Sequence, residues 1–317
     1  MSASIITVSL NPTIDRVIEV DDFTVGAHQV GREILRTPGG KAVNVSRVLA
    51  RLGVRSIATG FLGADNRNYF DSFLQCAQVA DEFFVLPGRT RENVTVVDRR
   101  SNQETHIRDI GLEVDARNLA RLKKKLQLMS RADSIVIFSG SLPPGVGPGD
   151  LLEMVQMCIA SGARVVVDTS GEALLAVAGQ RLWLVKPNSL ELSTLTAEKF
   201  HTPEAEIAAA RKLAGRVETV LFTRGDQGSY LFAEGLALHG HVPVEPHCIR
   251  STVGCGDALL GAFVAGVQRK GDLRRVFADA VACASASACT ASPAEFELDL
   301  MNELRAQVRV QELPPKP

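Results

Sequence analysis

With 317 residues and Lys+Arg 35 against Asp+Glu 36, the chain has a formal charge of -1, which excludes a global basic field of the kind that draws proteins onto nucleic acid or anionic membranes. Its six cysteines form no C-x-x-C pair or metal-ligand spacing, its first residues lack a basic segment and cleavage site, and its apolar runs are far shorter than a membrane span. A soluble cytoplasmic protein with free thiols is therefore expected, large enough for one α/β domain with an added subdomain or for two ordinary domains.

Along the chain, apolar β-branched runs at residues 5–10, 56–61, 134–138, 164–167, 182–185 and 219–223 predict strands, and the segments between them carry helical spacing. This is the alternation of a mostly parallel sheet covered by helices, so the predicted class is α/β. Stripes at Val45, Val48, Leu49 and Leu52, at Leu119, Leu122 and Leu126, and at Leu260, Phe263, Val264 and Val267 are core faces of helices. Residues 15–37 and 90–110 instead alternate with the period of a strand around charged turns, predicting antiparallel strands in a small separate sheet. No repeat or linker divides the chain, so these strands are insertions into a single domain over residues 1–317, suited to act as a lid. The proline-rich end, residues 313–317, is expected to fray.

Several strand ends carry residues with chemistry. The first strand runs into Leu10-Asn11-Pro12-Thr13-Ile14-Asp15, where Asp15 is either a turn residue or a hydroxyl ligand. Gly39-Gly40-Lys41-Ala42-Val43-Asn44 opens the first long helix, with Lys41 a solvated lysine or a phosphate contact. In Gly88-Arg89-Thr90-Arg91-Glu92-Asn93 two guanidinium forks suit a phosphate, or else mark a solvated strand end. Ser139-Gly140-Ser141-Leu142-Pro143-Pro144-Gly145 ends a central strand, where open α/β sheets hold ligands, and Asp168 ends another. Asn188 and Glu191, within Lys186-Pro187-Asn188-Ser189-Leu190-Glu191, form a capping box or offer oxygens to a hydrated hard cation.

The last motif is Thr252-Val253-Gly254-Cys255-Gly256-Asp257. Its glycines allow a tight turn, the N–H groups of the following helix start bind anions, and a carboxylate there can accept a hydroxyl proton during phosphoryl transfer. Taken alone, an aspartate capping a helix after a glycine turn is the commoner arrangement. The six histidines show no metal spacing, and Lys123, Lys124 and Lys125 read as a solvated helix face.

In this order, from Leu10 to about Ala288, these motifs resemble those of the ribokinase-like (PfkB) carbohydrate kinases, in three respects with a departure: Ala42 where the family usually has Gly, Cys255 where it has Ala or Ser, and Ala258 where it often has Ser or Thr. The resemblance implies a ribokinase-like three-layer fold with a small antiparallel lid. It implies that Asp257 is the catalytic base beside an anion hole of Gly254, Cys255 and Gly256, and that Asp15, Gly39, Gly40, Lys41, Asn44, Arg91, Asn93 and Ser139 hold the substrate, Arg91 and Lys41 at its phosphate. ATP would lie on Lys186, Asn188, Thr223, Gly225 and Gly228, with Mg²⁺ ordered largely through water by Asn188 and Glu191. Within the family the motifs look most like those of members acting on ketohexose phosphates. Fructose 1-phosphate is the expected substrate, with tagatose 6-phosphate and fructose 6-phosphate as alternatives, and a homodimer through the lid is expected. A sensor that keeps the pockets without turnover is the alternative of another class. A thiol at Cys255, beside the transferred phosphate, would make activity sensitive to oxidation.

Overall fold

Strand residues 5 and 6, and 135 to 138, are all buried, because alternate side chains enter two different cores on opposite faces of one sheet. Ile5, Ile135 and Ile137 join one core, and Ile6, Val136 and Phe138 join the other. The computed structural model that shows this describes residues 4–101 and 103–314.

The strands are β1 (Ile5–Ser9), β2 (Thr13–Val20), β3 (Gly31–Gly39), β4 (Ser56–Gly63), β5 (Val79–Leu86), β6 (Arg91–Asp98), β7 (Glu104–Ile107), β8 (Ile135–Ser139), β9 (Arg164–Asp168), β10 (Leu184–Val185), β11 (Thr219–Thr223), β12 (Ser229–Ala233), β13 (Leu236–His241) and β14 (Arg309–Glu312). The large sheet has ten strands in the order β14-β13-β12-β11-β10-β9-β8-β1-β4-β5. It is parallel from β5 to β11 and antiparallel from β11 to β14. On one face lie helices α1 (Lys41–Arg51), α8 (Cys255–Gln268), α9 (Leu273–Ala288) and α10 (Leu298–Gln307). The other face carries α3 (Ala116–Met129), α4 (Pro148–Ala160), α5 (Gly171–Val177), α6 (Ser189–Thr196) and α7 (Pro203–Leu213), while α2 (Asp71–Leu74) is a single turn in a third, smaller core. The three-layer α/β expectation holds.

From β1 the chain passes to β4 and β5 on one side, and later to β8, β9, β10 and β11 on the other. The crevice beyond the carboxyl ends of β1 and β8 is thus a topological switch point, the place where such sheets bind ligands. The sequence motifs at Asn11, Ser139, Asp168 and Lys186 all emerge there.

The lid is the second sheet, ordered β3-β2-β6-β7. The strands of each predicted stretch are antiparallel, β2 with β3 and β6 with β7. They join through a parallel pairing of β2 with β6 that alternation could not reveal, and its register sets Thr13 opposite Arg91 and Asp15 opposite Asn93. This register builds one wall of the site.

The edge strands β5 and β14, and β12 and β13 beside the latter, were not among the predicted strands; β13 mixes His and Gly with its apolar residues, and β14 is largely exposed. The expected fraying is corrected for its described part. Leu313 N donates to Ala237 O (2.8 Å) and Arg211 Nη1 to Pro314 O (2.7 Å), while residues 315–317 lie outside the described residues. Among the described residues no helix is long and apolar enough to cross a membrane.

Candidate active site

Gly254 takes φ +82°, a left-handed turn that side chains resist, and a Cβ there would stand 2.5 Å from Ala294 N. Helix α8 therefore starts at Cys255 with no side-chain cap, and Cys255 N makes only a long contact, 3.5 Å, to Thr252 O; N–H groups at such a helix start suit an anion. Asp257 does not cap this helix. It lies inside the first turn, 5% exposed, and its Oδ2 accepts from Asn44 Nδ2 at 2.8 Å, a contact between residues 213 apart in sequence. The capping alternative for this carboxylate is thereby removed. Burial, and then the neighbouring Asp168, push the Asp257 carboxyl up to about 7 against the opposing pull of Lys41, Asn44 and Lys186. A carboxylate there is basic enough to take a proton at neutral pH.

Asp168, at the end of β9, organises the cations of the site. Its Oδ1 meets Lys41 Nζ at 2.9 Å and Lys186 Nζ at 3.4 Å, and Ser139 Oγ donates to its Oδ2 at 3.2 Å. Burial alone would raise this carboxyl, but the two ammonium groups more than offset it and hold Asp168 below the ordinary carboxylate range. Lys41 is held protonated in turn: burial opposes its charge, but Asp168, Asp257 and Glu191 outweigh that. Lys186 reaches the anion turn itself, since a Cβ on Gly256 would lie 3.0 Å from its Nζ. Lys41 also lies 3.7 Å from Glu191.

Asn188 and Glu191 form the full capping box of α6. Asn188 Oδ1 accepts from Glu191 N (2.9 Å), and Glu191 Oε2 from Asn188 N (3.0 Å). Asn188 lines an open cleft of about 380 Å³ with Ser189, Leu190, Thr223, Arg224, Gly225 and Gln227, whereas Glu191 is buried and its Oε1 lies 3.7 Å from Lys41 Nζ. Asn188 and Thr223 are bridged across the strand ends. Gly228 stands behind this wall and closes the turn, its carbonyl accepting from Arg224 N at 2.9 Å. Among the described residues no group of three or more His, Cys, Asp or Glu could hold a metal ion. The oxygens of Asn188 and Glu191 are of the kind that would hold the waters of a Mg²⁺ ion.

The opposite wall comes from the lid. Asn93 Nδ2 donates to Asp15 Oδ1 at 3.2 Å, and Asn93 Oδ1 is buried without a hydrogen-bond partner, an acceptor that a ligand hydroxyl would satisfy. Burial raises the Asp15 carboxyl, opposed by Asn93, Arg47 and Arg91. Gly39 is required beside it, because a Cβ there would stand 2.1 Å from Asp15 Oδ2. Gly40 caps α1 at φ +100°. Arg91 is half-buried and fans its fork over the carbonyls of Pro12 (Nε, 3.3 Å), Asp109 (Nη1, 3.0 Å) and Asn11 (Nη2, 3.0 Å), with Ser141 Oγ 3.2 Å from Nη2. Among the described ion pairs none involves Arg91, though Asp15 and Asp109 act on its charge.

Sequence reasoning gave no role to two residues. Arg47 sits on α1 and bonds Asn44; an arginine three residues beyond a candidate ligand on one helix face was the available signal. Asn11 Nδ2 donates to Ile110 O (3.0 Å), Ser141 Oγ (3.2 Å) and Leu142 O (3.2 Å), joining the lid to the loop after β8. The oxidation-sensitive thiol expected at Cys255 is not supported. Burial and Asp257 push it up to about 11, so it is a thiol, not a thiolate, at neutral pH.

The sequence model of the family described as "pfkB family carbohydrate kinase" matches residues 8–299. A 1-phosphofructokinase of Bacillus subtilis is 32% identical over 305 residues, covering 95% of this chain and 98% of its own. A tagatose-6-phosphate kinase of Staphylococcus epidermidis is 25% identical over 313 residues, covering 98% and 100%. Among solved structures, phosphofructokinase-2 from Escherichia coli in complex with substrates and products has a TM-score of 0.89 at 26% identity, covering 96% of this chain and 99% of that one.

Proposed function

Because the chain belongs to the pfkB family of carbohydrate kinases, we propose that it transfers the γ-phosphoryl group of ATP to a ketohexose phosphate, fructose 1-phosphate first, giving fructose 1,6-bisphosphate and ADP. The observation that carries this reading is Asp257: a buried carboxylate at an uncapped helix start, pushed up to about 7 and gripped by Asn44. In the proposed reaction Asp257 accepts the proton of the attacking 6-hydroxyl, and the N–H groups at Gly254, Cys255 and Gly256 receive the charge that develops on the moving phosphoryl group. Lys186 and Lys41, held by Asp168, add fixed positive charge at the same point. Asp15 and Asn93 orient the sugar through its hydroxyls, and Arg91 receives the phosphate it already carries. Asn188 and Glu191 would hold the waters of Mg²⁺, which when bound neutralises the ATP phosphates.

The substrate is tested by ADP release across fructose 1-phosphate, fructose 6-phosphate and tagatose 6-phosphate. The highest kcat/KM is expected for fructose 1-phosphate, in keeping with the 1-phosphofructokinase of Bacillus subtilis. A higher value for tagatose 6-phosphate would move the assignment, and binding of all three without ADP release would favour a sensor. We further propose a homodimer through the lid, supported by the exposure of Val25, Val30, Ile107 and Ile110 on its strands and turns. Sedimentation equilibrium giving the 34.1 kDa of one chain at micromolar concentration would exclude that dimer.

A further inference from the structure

Arg47 lies three residues after Asn44 on α1, with its side chain 14% exposed. Its Nη1 donates to Asn44 Oδ1 at 3.4 Å and to the carbonyl of Pro293 at 2.8 Å. Its Nη2 donates to Thr37 Oγ1 at 3.5 Å and also to the carbonyl of Pro38. Glu295 stands at the limit of ion pairing, 4.0 Å from Nε and 51% exposed. The guanidinium is thus anchored on two sides by elements that frame the site. Thr37 and Pro38 end the lid strand β3 next to Gly39, and Pro293 precedes Ala294, whose N packs against Gly254.

An arginine fork has donors only and does not lose its proton. Asn44 must therefore present its oxygen to Arg47, which leaves its amide nitrogen facing Asp257 Oδ2 at 2.8 Å. With the amide reversed, the Asn44 NH₂ would oppose the guanidinium and its oxygen would oppose the carboxylate, two repulsive contacts in a buried setting.

Resting on the reading of Asp257 as the base, we propose that Arg47 is a positioning residue that locks the Asn44 amide and so holds the Asp257 carboxylate in its proton-accepting orientation. Arg47 itself touches neither substrate nor reacting atoms. Its charge also reaches Asp257 and Asp15. Around Asp257 stand Asp168 on β9, Lys41 on α1, Lys186 beyond β10 and the Cys255 thiol on α8, and Glu295 faces Arg47 from the loop before α10.

The test uses the full chain with Arg47→Lys, which keeps the charge but loses the fork, and Arg47→Met, which loses both. Each is made alone and on an Asn44→Ala background, with thermal unfolding and ADP release measured. Arg47→Lys is expected to lower kcat about 10- to 100-fold, with the KM for sugar phosphate little moved and the acid limb of the kcat profile unmoved. Arg47→Met is expected to lower kcat similarly and shift that limb to higher pH. On the Asn44→Ala background both losses should largely vanish. Wild-type kcat in Arg47→Lys, an equal loss on both backgrounds, or loss of the cooperative unfolding transition in both variants would overturn the proposal. Asp257→Asn in the same assay separates the two ideas: if it is inactive while Arg47→Lys is unaffected, only the role of Arg47 fails.

Discussion

Asp257→Asn is expected to lower kcat by about 10²–10⁴-fold without lowering the thermal midpoint at pH 8. The amide retains an oxygen to accept from Asn44 Nδ2 but cannot take the proton of the attacking hydroxyl. It also removes a charge that the surroundings disfavour, first by burial and then through Asp168. Because the folded-state value lies above the ordinary one, the stabilisation contributed by Asp257 is complete below its unfolded value and is lost as pH rises through about 7. Asp168 behaves oppositely: held low by Lys186 and Lys41, it contributes stability above its unfolded value that is lost as pH falls. The variant should therefore lose less stability than the parent between about pH 4 and pH 7. In the parent, kcat/KM should fall as pH drops through about 7, since the base must be ionised. Substantial turnover by Asp257→Asn, or a flat acid limb in the parent, would remove Asp257 from the chemistry.

The second large effect concerns selectivity. Arg91→Ala is expected to weaken the use of a phosphorylated sugar by about 2–5 kcal/mol, about 30- to 4000-fold in kcat/KM at 1.4 kcal/mol per tenfold, chiefly through KM. The guanidinium is half-buried over three backbone carbonyls and has no carboxylate among its described ion-pair partners. Burial disfavours its charge more than Asp15 and Asp109 support it, so an anion that reached it would be bound strongly. The control is free fructose, which lacks the phosphate. The ratio of kcat/KM for fructose 1-phosphate to that for fructose should collapse in the variant. An unchanged ratio, with both substrates impaired equally, would make Arg91 a brace between β6 and the Asn11–Pro12 turn and no more.

The α/β class and the parallel strands were legible because they rest on local periodicity: alternate residues of β1 and β8 enter two cores, so their strands read as unbroken apolar runs. Turn chemistry was legible for the same reason, since Gly254 must be glycine to adopt φ +82° before α8. The candidate residues were therefore nameable one by one. Their division of labour was not. The contact of Lys41 with Asp168, 127 residues away, is made only by the folded chain. Asp15 meets Asn93 solely through the parallel register of β2 with β6, which no local pattern encodes.

The turn at Gly254–Cys255–Gly256 and the carboxylate of Asp257 are determined by the sequence itself, because backbone freedom and residue chemistry are properties of single positions. That this carboxylate does not cap the helix but lies buried against Asn44 was decided only by tertiary structure. Burial, the charge of Asp168 and the amide of Asn44, itself oriented by Arg47, come from segments far apart in the chain, and the cost of desolvating a charge exists only once those segments have packed around it.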